Sequence, residues 1–288
     1  VHLADDWLNE HWDATRRHGN DDVEDCADGD HRFLYLGPSG SSTSLHADVL
    51  FSYSWSVNIV GRKEWLLVPA DCRGQVSDAA TEPLAPDVRT ILGVDALRVV
   101  QDPGEILFVP SGWYHQVCNL TDALSINHNW INRHNAHWPL VRIREACKAV
   151  RSTLGDDADD EELVAQMLRR RVGMDAWGYA ELLAGVIERR RLMLKHAATQ
   201  RMTRSLTRRR GGNAQTPSAA DATDAVRSLQ VARTVLQQAV DFIEGEFGRQ
   251  GNLEPPRVRV LGVFKRVLRR SKHTLDQWHL GMLDQRSC

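Results

Sequence analysis

Leu45-His46-Ala47-Asp48 sets an imidazole and a carboxylate two residues apart, so on a β-strand both project from one face. An HxD triplet alone is commonplace. A second segment, Gly104 to Asn119 (GEILFVPSGWYHQVCN), supplies what it lacks. Pro103-Gly104 turns the chain, Glu105 to Val109 reads as a strand, Pro110-Ser111-Gly112 turns again, and His115 emerges early on the returning strand. Two imidazoles and one carboxylate converging from separate strands would hold a divalent metal and leave half of an octahedron open. That donor set is the one with which non-haem Fe(II) centres activate dioxygen. The plainer reading, His46 and His115 as hydrogen-bonded barrel residues, leaves the ordered series of turns unexplained.

Lys63 follows Gly61 and precedes an apolar run, sharing a strand face with Trp65 and Leu67. A lysine at a strand start usually lies on the surface. If this one points inward it needs an anionic partner, because a desolvated unpaired ammonium costs several kcal/mol. Two further strands have one polar and one apolar face: Ser54, Ser56 and Asn58 alternate with Trp55, Val57 and Ile59, and Ser125, Asn127 and Asn129 with Ile126, His128 and Trp130. Such alternation ordinarily turns the polar face to solvent. A barrel that takes a charged small molecule would turn it inward instead.

The elements that must carry these residues differ along the chain. The 288 residues hold 36 Lys plus Arg against 38 Asp plus Glu, a net charge of -2, with 42% apolar and 26% charged residues. That composition excludes a disordered chain, and no apolar run reaches the roughly 18 residues that span a bilayer. Residues 1–138 carry 9 basic and 20 acidic residues, whereas residues 139–288 carry 27 and 18, so an acidic half precedes a basic one. From Arg32 to Asn132 eight short strand-like runs are broken by Gly, Pro and Asp turns, too densely for crossover helices. The fold class expected is a mostly β core of double-stranded β-helix (cupin, jelly-roll) type followed by an α-helical C-terminal region.

Residues 1–31 are expected to form an N-terminal helix over Asp5 to Arg17 and an acidic loop, residues 32–138 the barrel, and residues 139–288 the helical region. Within the last, acidic residues 159–162 followed by Arg169 to Arg171 complement one helix dipole, and further helices are expected over Ala180 to Lys195, Ala225 to Ile243 and Val260 to Lys272. Residues 201–222, rich in Arg, Gly, Ser and Thr without an apolar period, read as a flexible loop. Five cysteines without CxxC spacing read as reduced thiols of a cytoplasmic protein that could also enter the nucleus.

The eight-strand pattern, the HxD pair, the Gly61-Arg62-Lys63 lysine and GEILFVPSGWYH together resemble the jumonji C (JmjC) branch of the Fe(II)- and 2-oxoglutarate-dependent oxygenases. More narrowly, DDWLNEHWD, HADVLFSYSWSVNIVGRKEWLLVP and PSGWYHQVCNLTDALSINHNWIN are similar to a branch whose members hydroxylate a lysine of a translation release factor. The resemblance covers roughly residues 5–138 and implies His46, Asp48 and His115 as iron ligands. It implies Lys63 and Thr43 on the distal carboxylate of 2-oxoglutarate, with Tyr35, Ser56, Asn127 and Asn129 lining the cosubstrate pocket. Trp55, Trp113 and Trp130 are expected in the core. The family has further structure ahead of its first barrel strand and this chain begins with Val, so its N-terminus is expected to be truncated.

The implied reaction is hydroxylation of a protein side chain coupled to oxidative decarboxylation of 2-oxoglutarate with Fe(II) and O2. The same chemistry removes methyl groups from histone N-methyl-lysine, although no zinc-binding Cys/His cluster of the kind found in chromatin enzymes accompanies the barrel. A non-catalytic cupin-like module that binds metal or protein is a reading of another class, opposed by the intact HxD…H set with Lys63. The expected partners are a lysine-bearing protein substrate and a second copy of the chain meeting through the C-terminal helices. A membrane is not among them. Nor is nucleic acid, since the runs Arg189–Arg191, Arg208–Arg210 and Arg269–Arg270 lack interleaved aromatics and read as solvated helix ends.

Overall fold

The computed structural model describes residues 5–17, 31–77, 85–207, 219–247 and 255–283. Alternating residues between turn formers give eight strands: β1 Arg32–Gly37, β2 Ser42–Ala47, β3 Tyr53–Val60, β4 Lys63–Val68, β5 Leu97–Gln101, β6 Ile106–Val109, β7 Tyr114–Asn119 and β8 Ala123–Trp130. They form two four-stranded antiparallel sheets in the orders β1-β8-β3-β6 and β2-β7-β4-β5, the jelly-roll arrangement expected. The turn from β3 to β4 requires Gly61. Its φ is +81°, and a Cβ there would fall 2.0 Å from the Asp122 carbonyl oxygen in the turn from β7 to β8.

The first sheet is polar inside and apolar outside. Ser54, Ser56, Asn58, Ser125 and Asn129 are buried, whereas Leu34, Ile126, Val57 and Ile106 form one cross-strand row on the outer face, with Leu34 70% and Ile106 69% exposed. The usual polar-out arrangement is thus reversed, and the interior it creates is a hydrogen-bonding one. The second sheet is apolar on both faces: Trp65, Leu67 and Val117 pack inside with Val109 of β6, and Leu45, Leu66, Val68 and Tyr114, of opposite strand parity, pack with Phe51 on the other face.

Helix α1, Trp7–Arg17, starts where Asp6 accepts from the Asn9 backbone N–H at 3.1 Å. Trp7 and Leu8 are fully buried, and the Trp7 N–H donates to the Ile131 carbonyl. The acidic loop expected after this helix lies outside the described residues. Helices α2, His137–Leu154, and α3, Glu161–Val172, follow the barrel. Asp160 caps α3 by accepting from the Glu162 and Leu163 N–H groups, and Gly173 at φ +87° ends it.

The chain divides into two compact units after Asp175. Ile143, Ala146 and Val150 of α2 are buried, and the helix packs on the turn Val49–Phe51 of the barrel, so α2 and α3 belong to the barrel unit. The second unit contains α4 Ala176–Thr207, α5 Ala219–Phe247 and α6 Pro255–Leu283. Leu229, Leu236, Val240 and Ile243 of α5 form the expected buried stripe. Residues 201–207 continue α4 and residues 219–222 begin α5, and the rest of the span expected as a loop, with Arg208–Arg210, lies outside the described residues. Arg189–Arg191 lies within α4 rather than at its end. Arg190 and Arg191 are buried, and Arg191 pairs with Glu188 and donates to Thr274. No described helix is long and apolar enough to cross a membrane.

Candidate metal and cosubstrate site

His46 on β2 and His115 on β7 are paired residues of adjacent antiparallel strands, and their ring centroids are 4.2 Å apart. An irregularity in the pairing between Thr43 and His46 sets that register. Asp48 follows the end of β2. One ligand atom from each of His46, Asp48 and His115 can be chosen so that all lie within 4.8 Å of one another.

Neighbours fix the state of each donor. His46 Nδ1 lies 2.8 Å from the Ser44 carbonyl oxygen, which can only accept, so Nδ1 donates and Nε2 is the atom left to meet a metal. The Asp48 carboxylate accepts on both oxygens, from Ser54 Oγ at 2.7 Å and from Asn129 Nδ2 at 2.9 Å. Asn129 is itself steadied by a 3.1 Å bond to Ser52 Oγ. His115 is buried, and burial draws its pKa down to about 4; Asp48 opposes the shift and His46 adds to it. It is therefore neutral at neutral pH. The Trp113 backbone also opposes the shift, while the buried Nδ1 makes no hydrogen bond of ordinary geometry, a gap that a bound group would explain. Two imidazoles and one fixed carboxylate fit a divalent iron.

The three groups open into a cavity of about 150 Å³ also lined by Tyr35, Thr43, Lys63, Trp65, Asn119, Asn127 and Asn129. Lys63 does point inward. It is 6% exposed, its Nζ donates to Ser125 Oγ at 2.6 Å and lies 5.9 Å from the Tyr35 ring centre, and burial lowers its pKa. Among the described residues no carboxylate pairs with it. Tyr35 is part-exposed at the rim, with its phenol pKa raised by burial and by Asp48. Ser56 is not on the cavity wall. It stands behind Asn127 and donates to its Oδ1 at 2.8 Å. Trp130 is in the core, Trp113 packs against the Trp65 cluster, and Trp55 lies on the outer face beside His128.

Four neighbours were not singled out from sequence as site residues: Trp65, Asn119, Ser54 and Ser125. Trp65 stacks on His115 at 5.7 Å and donates its indole N–H to Gln101 Oε1 at 2.9 Å. Strand parity carried the signal, since Trp65 shares a face with Lys63, Asn119 with His115, Ser54 with Ser56, and Ser125 with Asn127.

The family model described as "JmjC domain, hydroxylase" matches residues 33–130, a span that includes all of these groups. Residues 33–130 are a JmjC domain. The chain is 38% identical over 211 residues to the 2-oxoglutarate and iron-dependent oxygenase JMJD4 of Gallus gallus, covering 68% of this chain and 47% of that protein. With the human protein of the same name it shares 38% over 217 residues, 69% of this chain and 49% of that one. It is also 37% identical over 193 residues to the arginine-specific demethylase JMJ20 of Arabidopsis thaliana, covering 60% and 41%. The chain spans about half the length of these relatives, or less. The described cysteines, Cys72 and Cys118 within this span and Cys147 beyond it, form no disulfide.

Proposed function

We propose that the JmjC domain is an Fe(II)- and 2-oxoglutarate-dependent protein hydroxylase that acts on a lysyl side chain, its substrate a translation release factor. The observation that carries the oxygenase reading is the pairing, in one cavity, of a two-histidine-one-carboxylate set with a buried lysine that has no carboxylate partner among the described residues. The first group can hold the metal; the second awaits an anion. The names of the relatives support the iron and 2-oxoglutarate dependence. The choice of lysine and of a release factor is supported by the sequence resemblance and by the net -11 charge of residues 1–138, which favours encounter with a cationic segment. Such a substrate implies action in the cytoplasm.

When bound, Fe(II) and 2-oxoglutarate supply oxidative decarboxylation to succinate and CO2 coupled to hydroxylation of a C–H bond. The chain supplies position. Ser54 and Asn129 hold the Asp48 carboxylate, the Ser44 carbonyl orients the His46 ring, and Trp65 covers one face of His115. Lys63 Nζ would exchange Ser125 for the distal carboxylate of the cosubstrate, with Thr43 and Tyr35 beside it at the cavity wall. The cavity of about 150 Å³ leaves room for a small dicarboxylate, so the protein substrate must approach its mouth.

A second reading, demethylation, is favoured by one observation: a relative at 37% identity is named an arginine-specific demethylase. Mass spectrometry separates the two. Incubated with Fe(II), 2-oxoglutarate and ascorbate, a release-factor peptide should gain the mass of one oxygen atom on lysine. Loss of methyl groups from methylated arginine or lysine peptides, with the release-factor peptide unchanged, would favour the demethylase.

A further inference from the structure

Two turns deliver Asp48 and His115, and both contain left-handed backbone. Directly after Asp48, the turn Val49–Phe51 holds Leu50 at φ +55° and Phe51 at φ +51°, both buried. Bulky L-residues keep this left-handed conformation only where their surroundings impose it. The other turn, Pro110 to Gly112, enters β7 three residues before His115, and Gly112 has φ +74°.

One side chain touches both. The indole of Trp138, at the start of α2, meets the Phe51 ring edge-to-face, centroids 6.1 Å apart and planes at 82°. A Cβ on Gly112 would fall 2.7 Å from Trp138 Cζ3, so the indole lies directly against that glycine. Its backbone is tied to the same turn, because the Trp138 N–H donates to the Asn135 carbonyl and buried Asn135 donates through Nδ2 to Ser111 Oγ at 3.2 Å. Arg73 completes the packing, its guanidinium carbon 5.5 Å from both the Phe51 and Trp138 ring centres while it pairs with Glu145 of α2.

We propose that Trp138 is a positioning residue of the metal centre, a wedge between the two turns that sets how far Asp48 stands from His115. The proposal rests on reading His46, Asp48 and His115 as a metal site. It gives α2 a part in the chemistry, which explains why the helix packs within the barrel unit. It also gives Gly112 two requirements, a left-handed φ and the absence of a Cβ.

The test uses the whole chain with Mn(II) and Co(II) as separate probes. If the wild type binds neither, the metal reading itself falls. If it binds them, Trp138→Leu should weaken Mn(II) affinity about 10-fold or more and alter the Co(II) d–d absorption, with Trp138→Phe between the two. Gly112→Ala should weaken binding as well. Gly104→Ala is the control: it has φ +86°, but a Cβ there meets nothing within 4 Å, so Mn(II) affinity should stay within about twofold of wild type. Adding Gly112→Ala to Trp138→Leu should cost less than it does alone, since the clash partner is gone. Wild-type metal affinity and an unchanged Co(II) spectrum in Trp138→Leu would overturn the proposal. If that variant does not fold, Trp138→Phe and the contrast between Gly112→Ala and Gly104→Ala decide.

Discussion

Lys63 Nζ donates to Ser125 Oγ at 2.6 Å, joining β4 of one sheet to β8 of the other inside the barrel. A hydroxyl satisfies the ammonium but does not neutralise it, so the charge remains available to an anion. Removing the hydroxyl should expose that imbalance. Ser125→Ala should destabilise the ligand-free protein by about 1–3 kcal/mol, the cost of an unsatisfied buried donor. Lys63→Met, which removes the charge and keeps the stem, should cost less stability yet abolish 2-oxoglutarate binding. Denaturant unfolding and cosubstrate titration together check both.

The lowered pKa of Lys63 gives a direction for pH dependence. The protonated form binds a carboxylate, so 2-oxoglutarate affinity should hold at low pH and fall as pH rises through the depressed value, below the ordinary 10.5 of lysine. A bound dicarboxylate pushes the pKa back up and so moves the loss to higher pH. Lys63→Arg should bind more weakly throughout, because a planar guanidinium fits the pocket poorly, and show no such fall, because it stays charged. Anaerobic titrations across pH would reveal the contrast.

Asp48 depends on its two donors. Asn129→Ala and Ser54→Ala should each weaken Mn(II) binding by about 10–100-fold, the range found when groups that orient a ligand are lost. Isothermal titration measures this without turnover. An unchanged affinity would mean that the carboxylate orients itself.

Metal binding should also stabilise the fold, since His46 and Asp48 meet His115 only when β2 is paired with β7. Mn(II) at about 100 times its Kd should add roughly 2.7 kcal/mol to the unfolding free energy, and a chelator should remove it. His46→Ala should show no such gain. Thermal unfolding with and without metal is the check.

Much of the site was legible because its groups follow strand parity. His46 and Asp48 are two apart, and Ser56, Asn127 and Asn129 fall on single faces. What could not be read was which face turns inward, since polar-out is the commoner arrangement and only the assembled sheet shows Ser54, Ser125 and Asn129 buried. Cross-strand register was equally hidden. The pairing of His46 with His115 depends on an irregularity between β2 and β7 that no local pattern announces. Gly112 was seen as a turn former, but its contact with Trp138 joins segments 26 residues apart. Among the helices, the charged run Arg189–Arg191 has the composition of a solvated helix end, whereas partners within the second unit allow Arg190 and Arg191 to be buried in the middle of α4.

The most direct test is succinate release from 2-oxoglutarate by the whole chain with Fe(II), O2, ascorbate and a lysine-bearing release-factor peptide. Wild type should form succinate in step with hydroxylated peptide, whereas His46→Ala and Lys63→Ala should fall to the enzyme-free background. Equal succinate formation in all three proteins would contradict the assignment of the metal and cosubstrate to this cavity.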